Sequence, residues 1–180
     1  LTGKDPKVVP LVPGPGMIRA ITLEVSEKDW PSWIGATLRI HWKNGAAGPG
    51  IELPVEYFFG QAMKPAPYRS LLAGVTGQGL LRFYNFFPMP YERDARITIV
   101  PPAGNTGLFG KLSAIIVPID KWAPEFAYAH GAYHEALPTQ PKVYYPWLVE
   151  SGRGHYAGTY IVTEGKGKPD DIKGRIAEIK

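Results

Sequence analysis

Short stretches of alternating apolar and polar residues recur about every ten to fifteen positions along this chain. In the first clear stretch, Ile21, Leu23 and Val25 would share one face of a strand, while Thr22 and Glu24 would share the other. No long segment has the repeat of an amphipathic helix. The pattern predicts about nine or ten strands. The candidates are residues 17–25, 37–42, 51–59, 80–87, 95–100, 112–119, 126–136, 158–163 and 172–179.

Two segments refine this pattern. Residues 112–119 are almost wholly apolar, which predicts a central strand that is buried on both faces. The sequence Lys43-Asn44-Gly45 predicts a turn after the second strand, because Asn and Gly tolerate positive φ. The apolar faces of the strands predict a core made of Ile21, Leu23, Leu38, Ile40, Leu53, Phe58, Phe87, Ile97, Ile99, Ile115, Val117 and Ile161.

Many strands without a strong helix indicate two packed β-sheets or a barrel. We expect an all-β fold, a single jelly-roll β-sandwich spanning residues 1–180. Residues 1–12 would form an N-terminal arm, and residues 164–180 a charged C-terminal segment. An immunoglobulin-like sandwich fits less well, because the chain exceeds its plan of seven strands in ~100 residues.

Composition narrows the possible functions. The chain has no cysteine, which excludes disulfides, thiolate metal sites and cysteine nucleophiles. Its net charge of +4 is scattered rather than gathered on a basic face, so no nucleic-acid site is expected. No apolar stretch approaches the ~20 residues of a transmembrane helix. Because the sequence starts at Leu1, we expect a processed, exported protein, extracellular or, for a capsid protein, part of a virion.

The histidines give no metal site. His130 and His134 are four residues apart in a segment that the pattern predicts to be a strand. At ~3.3 Å per residue they would be some 13 Å apart, too far to share an ion. We therefore expect no metal and no cofactor.

Aromatic residues are numerous, with five Trp, ten Tyr and seven Phe. Because Ile, Leu and Val already supply a sandwich core, some rings should lie on the surface, where they favour interfaces or stack on sugars. The prediction is a homo-oligomer, with carbohydrate as a second class of partner. Its interface candidates are tryptophans in loops that contain proline: Trp30, Trp33, Trp122 and Trp147.

Several stretches, taken in order, resemble one family. Residues 13–18, Pro-Gly-Pro-Gly-Met-Ile, are similar to its Gly-Pro-Gly-x-Ile opening. Residues 53–60 resemble its Pro-Leu-Gly-Asp-Phe-Phe-Gly signature, and residues 86–91 its Phe-Pro-Met-Pro-Phe segment. Ala129-His130 and residues 152–159 resemble its His-Ala and Gly-x-Gly-His-Tyr-Val-Gly-Thr motifs. The family is the domain of unknown function 2961, associated with glycoside hydrolase family 172.

The resemblance implies two tandem jelly rolls, assembly into trimers or hexamers, and furanosidase activity on glycans that contain fructose or arabinose. It also makes His130, His155 and Tyr156 candidates for carbohydrate contact. The 180 residues would correspond to the first jelly roll of such a protein.

The sequence departs from the family at its carboxylates. Tyr57 stands where the signature has aspartate, so Glu56 is the nearest carboxylate there. Of the family's two catalytic glutamate segments, Glu164 could match the first, and nothing in these 180 residues matches the second. Because glycosidases work with paired carboxyl groups, Glu56 and Glu164 are weak catalytic candidates.

Three hypotheses follow. The first is a non-catalytic, self-assembling jelly roll that builds a shell, a capsid or an extracellular filament. The second is part of a furanoside-acting glycoside hydrolase whose active site another chain or segment completes. The third is a lectin-like carbohydrate-binding module.

Overall fold

The computed structural model describes residues 6–9, 13–43, 47–61, 65–105, 107–136, 140, 142–146, 149 and 151–162. The chain divides into two compact units, residues 1–146 and 147–180. All strands among the described residues lie in the first unit. They are β1 (Lys7–Val9), β2 (Gly16–Ser26), β3 (Thr37–Trp42), β4 (Ile51–Pro54), β5 (Tyr68–Arg69), β6 (Ala73–Thr76), β7 (Leu80–Asn85), β8 (Met89–Tyr91), β9 (Ala95–Val100) and β10 (Lys111–Pro118).

These strands form two antiparallel sheets. One sheet has the order β1-β9-β3-β4, and the other has the order β10-β2-β7-β6-β5, with β8 also pairing with β2. Strands β2 and β10 pair in one sheet, and the next strands inward along the chain, β3 and β9, pair in the other. This nesting of antiparallel pairs is the winding of a jelly roll. The fold is an all-β sandwich, as the sequence predicted.

The alternating pattern locates the core well. Strand β2 buries Ile21, Leu23 and Val25 almost completely, and both sheets contribute side chains to a single apolar cluster. Leu53 and Phe87 are half-buried and pack against that cluster. Predicted core residues that are at least 95% buried are Ile21, Leu23, Leu38, Ile40, Phe58, Ile97 and Ile99.

Three core predictions are wrong. Ile115, Val117 and Ile161 are 59%, 46% and 46% exposed. The first two lie on β10, which is an edge strand of its sheet and turns Leu112, Ala114 and Ile116 toward the core instead. The apolar content of residues 112–119 was therefore no sign of a strand buried on both faces.

The predicted strand at residues 51–59 ends early. β4 stops at Pro54, and Val55–Phe58 forms one turn of α-helix, α1. Phe58 and Phe59 are both buried, which consecutive residues of a strand facing one core cannot achieve. A second helical turn, of 3-10 type, spans Trp30–Trp33. Among the described residues, no helix is long and apolar enough to cross a membrane.

The later strand predictions are also wrong where the structure describes them. Residues 126–136 and 158–162 are irregular, apart from a single bridge between Ile51 and Gly131. The indole N–H of Trp42 donates to the carbonyl of Ala129 at 2.7 Å and so helps to hold residues 126–136 in place. Two backbone hydrogen bonds of Gly131, with Gly50 and Glu52, and this side-chain bond hold the 126–136 segment without a ladder. Residues 163 and 172–179 lie outside the described residues.

Truncating the fully buried Ile99 should destabilise the sandwich strongly. The Ile99→Ala variant leaves a cavity between the sheets, and its free energy of unfolding should fall by about 2–5 kcal/mol. Urea unfolding of this variant and of Arg96→Ala, a control at an exposed position on the same strand, measures the difference. A loss below about 0.5 kcal/mol at Ile99 would contradict the assigned core.

Candidate functional site

Glu56, the one catalytic candidate that the structure describes, is buried. It is 4% exposed and is the second residue of α1, directly after β4. The Gly35 N–H donates to both oxygens of its carboxylate, at 3.1 and 3.3 Å. Burial raises the pKa of Glu56, and hydrogen bonds from the backbone amides of Glu56 and Gly35 partly oppose that shift.

The surrounding backbone explains why a carboxylate is held there. Gly35 has a φ of 78° in the turn between Trp30–Trp33 and β3, a conformation that favours glycine. The Val55 N–H donates to the carbonyl of Ala36 at 2.8 Å, so α1 is tied to this turn by both main chain and side chain. Glu56 therefore fastens two loops together. Its carboxylate is not open to a sugar in this structure. Glu164, the other catalytic candidate, lies outside the described residues.

Trp30 and Trp33 were predicted at an interface, and the structure places both in the core. They are 2% and 0% exposed. Trp30 stacks on Phe83 with ring centroids 4.3 Å apart, and the Trp33 indole donates to the carbonyl of Phe109 at 3.0 Å. The reason is the 3-10 turn, in which residues three apart share one face. That spacing was the available signal, and the neighbouring proline obscured it.

Trp122 belongs to an aromatic cluster and is half-buried. Its ring lies 5.1 Å from that of Tyr128 and 5.5 Å from that of Phe126. Tyr128 in turn contacts Trp42, at 6.1 Å between centroids. Trp122 therefore packs largely within its own chain. Trp147, the fourth interface candidate, lies outside the described residues.

The candidate carbohydrate contacts are all exposed. His130 belongs to the first unit, and His155 and Tyr156 belong to the second. The Tyr156 hydroxyl forms a hydrogen bond with the hydroxyl of Thr159. Within the described part of the chain, no three His, Asp or Glu side chains gather as ligands for a metal ion.

A tyrosine pair that the sequence did not single out lies beside α1. Tyr57 and Tyr133 stack with centroids 5.2 Å apart, and the Tyr133 hydroxyl contacts Glu135. Burial is the largest cause that raises the pKa of Tyr133 far above its usual range, and the nearby Tyr57 and Glu135 raise it further. The hydroxyl thus stays protonated and donates hydrogen bonds. Because the two rings are distant in sequence, no local pattern could have paired them.

The outer face of the six-stranded sheet carries an apolar patch. Ile115 lies opposite Ala20 on β2, and continuing the β2–β7 register by one residue places Phe86 on the other side of Ala20. Ile115 and Phe86 are 59% and 46% exposed, whereas Ala20 between them is 5% exposed. We call Ile115, Val117, Ala20 and Phe86 the outer patch. Large exposed side chains thus flank the small Ala20, and together they form an apolar surface that a partner could cover.

The rest of that face is mixed. Arg19 is exposed beside Ala20, where its guanidinium contacts the Met17 sulfur, and Leu80 at the far end is 41% exposed. Lys111 pairs with Glu24 in the register, and the Arg82 guanidinium bonds the Glu24 carboxylate at 2.9 Å. Both members of this ion pair are well exposed. The outer face therefore carries an ion pair toward one end and a mainly apolar group, bordered by Arg19, toward the other.

Removing the charge of Glu56 should change how stability depends on pH. Because the folded-state pKa of Glu56 is raised, the carboxyl stabilises the fold below its ordinary value of 4.5, and this contribution is lost as the pH rises through the raised pKa. Gln at this position stays neutral and still accepts from Gly35. The free energy of unfolding of the natural chain should fall, relative to Glu56→Gln, as the pH rises.

Urea unfolding at a series of pH values from about 4 to 8 measures this difference. The matched control is Glu52→Gln, which removes an exposed carboxylate bonded to Arg39 at 2.7 Å. Stability curves of the natural chain and Glu56→Gln that run parallel across the range would contradict the structural role of Glu56.

Comparison with known proteins gives one assignment. A family model described as GH172 domain-like matches residues 3–108, more than half of the chain and the whole of β1 to β9. No curated protein matches the chain. The resemblance in the motifs of strands β2 to β8 is thus confirmed at the level of the family. The chain belongs to the GH172 domain-like family.

Proposed function

We propose that this chain is a non-catalytic, self-assembling structural subunit of an extracellular filament, a shell or a capsid. The observation that carries the proposal is the outer patch, an exposed apolar surface on the outer face of the six-stranded sheet. Contiguous apolar patches of this kind mark sites of protein association.

The position of the patch supports this function. Ile115 and Val117 lie on a strand of eight residues that pairs with β2, so their backbone is already ordered in a sheet. Partners that meet on such elements lose little conformational entropy when they associate. The exposed residues of the patch are large and apolar, Arg19 borders them, and the ion pair of Glu24 and Arg82 lies toward the other end of the face.

The burial of Glu56 also favours a structural function. A retaining or inverting glycosidase brings two carboxyl groups to the scissile bond. Glu56, which lies in the stretch that resembles the family signature, instead bonds the backbone of Gly35. The Glu56 side chain thus serves to hold two loops of the fold together.

Membership in the GH172 domain-like family favours a second candidate, in which the chain is part of a furanoside-acting glycoside hydrolase. In that case another chain or segment would provide the carboxyl groups. The two candidates differ in what the purified 180 residues do, and each has its own measurement.

The chain should be a homo-oligomer in solution. Multi-angle light scattering at micromolar concentration should give a mass that is a whole multiple of 19.8 kDa. Because apolar contacts are not screened by salt, the mass should persist at about 1 M NaCl. A monomer at every concentration would contradict the proposed function.

The same chain should not hydrolyse furanosides. Incubation with aryl furanosides should release no more phenol than buffer does, because Glu56 is enclosed and a lone carboxylate cannot serve as both acid and nucleophile or base. Glu56→Gln and Glu164→Gln are the matched variants. Turnover that either substitution abolishes would favour the hydrolase instead.

A further inference from the structure

Strand β10 has one open edge among the described residues. It pairs with β2 on one side, and no described strand pairs with it on the other. The open edge is eight residues long, whereas β1, at the edge of the other sheet, has three. A long apolar edge is a template for pairing with another strand, and natural proteins usually cover or charge it.

The direction of the backbone groups on β10 can be worked out from one bond. The Ile119 N–H donates to the carbonyl of Pro15, on the β2 side, at 3.1 Å. The β10–β2 register shifts between Ile115 and Ile116, where β2 contributes the extra residue Arg19, so β10 itself keeps a regular alternation. The amides of Leu112, Ala114 and Ile116 therefore point to the open edge. Pro118 belongs to the same set, and its lack of an N–H suits an edge position.

We propose that β10 pairs with β10 of a second copy of this chain, antiparallel about a two-fold axis through Ile115. This inference rests on the proposed self-assembly and names the surface that performs it. The contact would join two six-stranded sheets into one continuous sheet. An isologous contact of this kind closes at two copies, so a larger assembly needs a second contact.

The side chains decide the register. A two-fold axis perpendicular to the sheet pairs outward-facing residues with outward-facing residues. Because the facing of side chains alternates along a strand, two paired residues must both have odd numbers or both have even numbers. Pairing through Ala114 or Ile115 keeps seven residues of each β10 paired, whereas pairing through Ile116 keeps five. Pairing through Ala114 would set Lys111 opposite Val117 and Ser113 opposite Ile115. Pairing through Ile115 sets Ile115 opposite its own equivalent, which is an apolar cross-strand pair.

The same register joins the exposed apolar groups. Ile115 of each copy lies beside its own equivalent, and Val117 lies opposite Ser113. The two outer patches thereby become one apolar surface across the axis. The open-edge amides of Leu112, Ala114 and Ile116 find carbonyls at Pro118, Ile116 and Ala114 of the second copy.

A chain without cysteine allows a direct test. In a non-hydrogen-bonded antiparallel pair, the Cα atoms of the two opposite residues are about 4.5 Å apart, a distance that a disulfide can span. Ile115→Cys should therefore form a covalent dimer on mild oxidation, visible on a non-reducing gel. Val117→Cys is the matched control on the same face, because its two copies would be ~13 Å apart.

Two further variants complete the test. Val8→Cys, at an exposed apolar position on β1, reports chance collision. Ile115→Lys places like charges on the axis and should reduce the mass by light scattering to half or less, while its far-ultraviolet circular dichroism stays that of a β protein. Since Ile115 is 59% exposed, this substitution leaves the core intact.

The outcomes separate this inference from the proposed function. Cross-linking of Ile115→Cys alone, with dissociation of Ile115→Lys, is the expected result. An oligomer that Ile115→Lys does not dissociate, or in which Ile115→Cys cross-links no better than Val117→Cys and Val8→Cys, overturns the β10 contact and leaves self-assembly standing. A natural chain that is monomeric throughout overturns both.

Discussion

The pairing of β2 on both of its edges is the constraint on which the larger sheet depends. Over eleven residues, β2 pairs with β10 on one side and with β7 and β8 on the other. Its inward side chains, among them Ile21 and Leu23, form the floor of the core. Among the described strands, β10 pairs with β2 alone and so lies at the edge, and Ile115 is exposed because its side chain is on the outer face of the sheet.

The fixed loops of the sandwich depend on residues that pack inward from outside the strands. Trp30 and Trp33 reach the core from one 3-10 turn, and Glu56 fastens the next turn to α1 through Gly35. These are costly groups to bury, since an indole needs a partner for its N–H and a carboxylate needs donors. Phe109 and Gly35 provide the respective backbone partners.

Local alternation predicted the strands that are regular on one face, such as β2, β3 and β9, and most of their buried residues. In the apolar run of β10 it could not tell which face points inward, so Ile115 was assigned to the core although Ile116 faces it. Nor could it separate a strand from a helical turn at Val55–Phe58, where the burial of consecutive aromatic residues decides the backbone. The stacking of Tyr57 on Tyr133 could be found only from the tertiary structure.

Family membership and assembly rest on different parts of the chain. The family match covers residues 3–108 and so includes Glu56, but it ends before β10 begins at Lys111. A carboxylate in the matched region is enclosed by the fold, while the apolar strand beyond that region faces outward. The family match therefore supports the sandwich and its loops, and it gives no information about the edge strand β10. The contact that β10 makes depends on its own chemistry. Within the described part of the chain, its outer row of amides is unpaired and its exposed side chains include Ile115 and Val117, which together favour another strand as the partner.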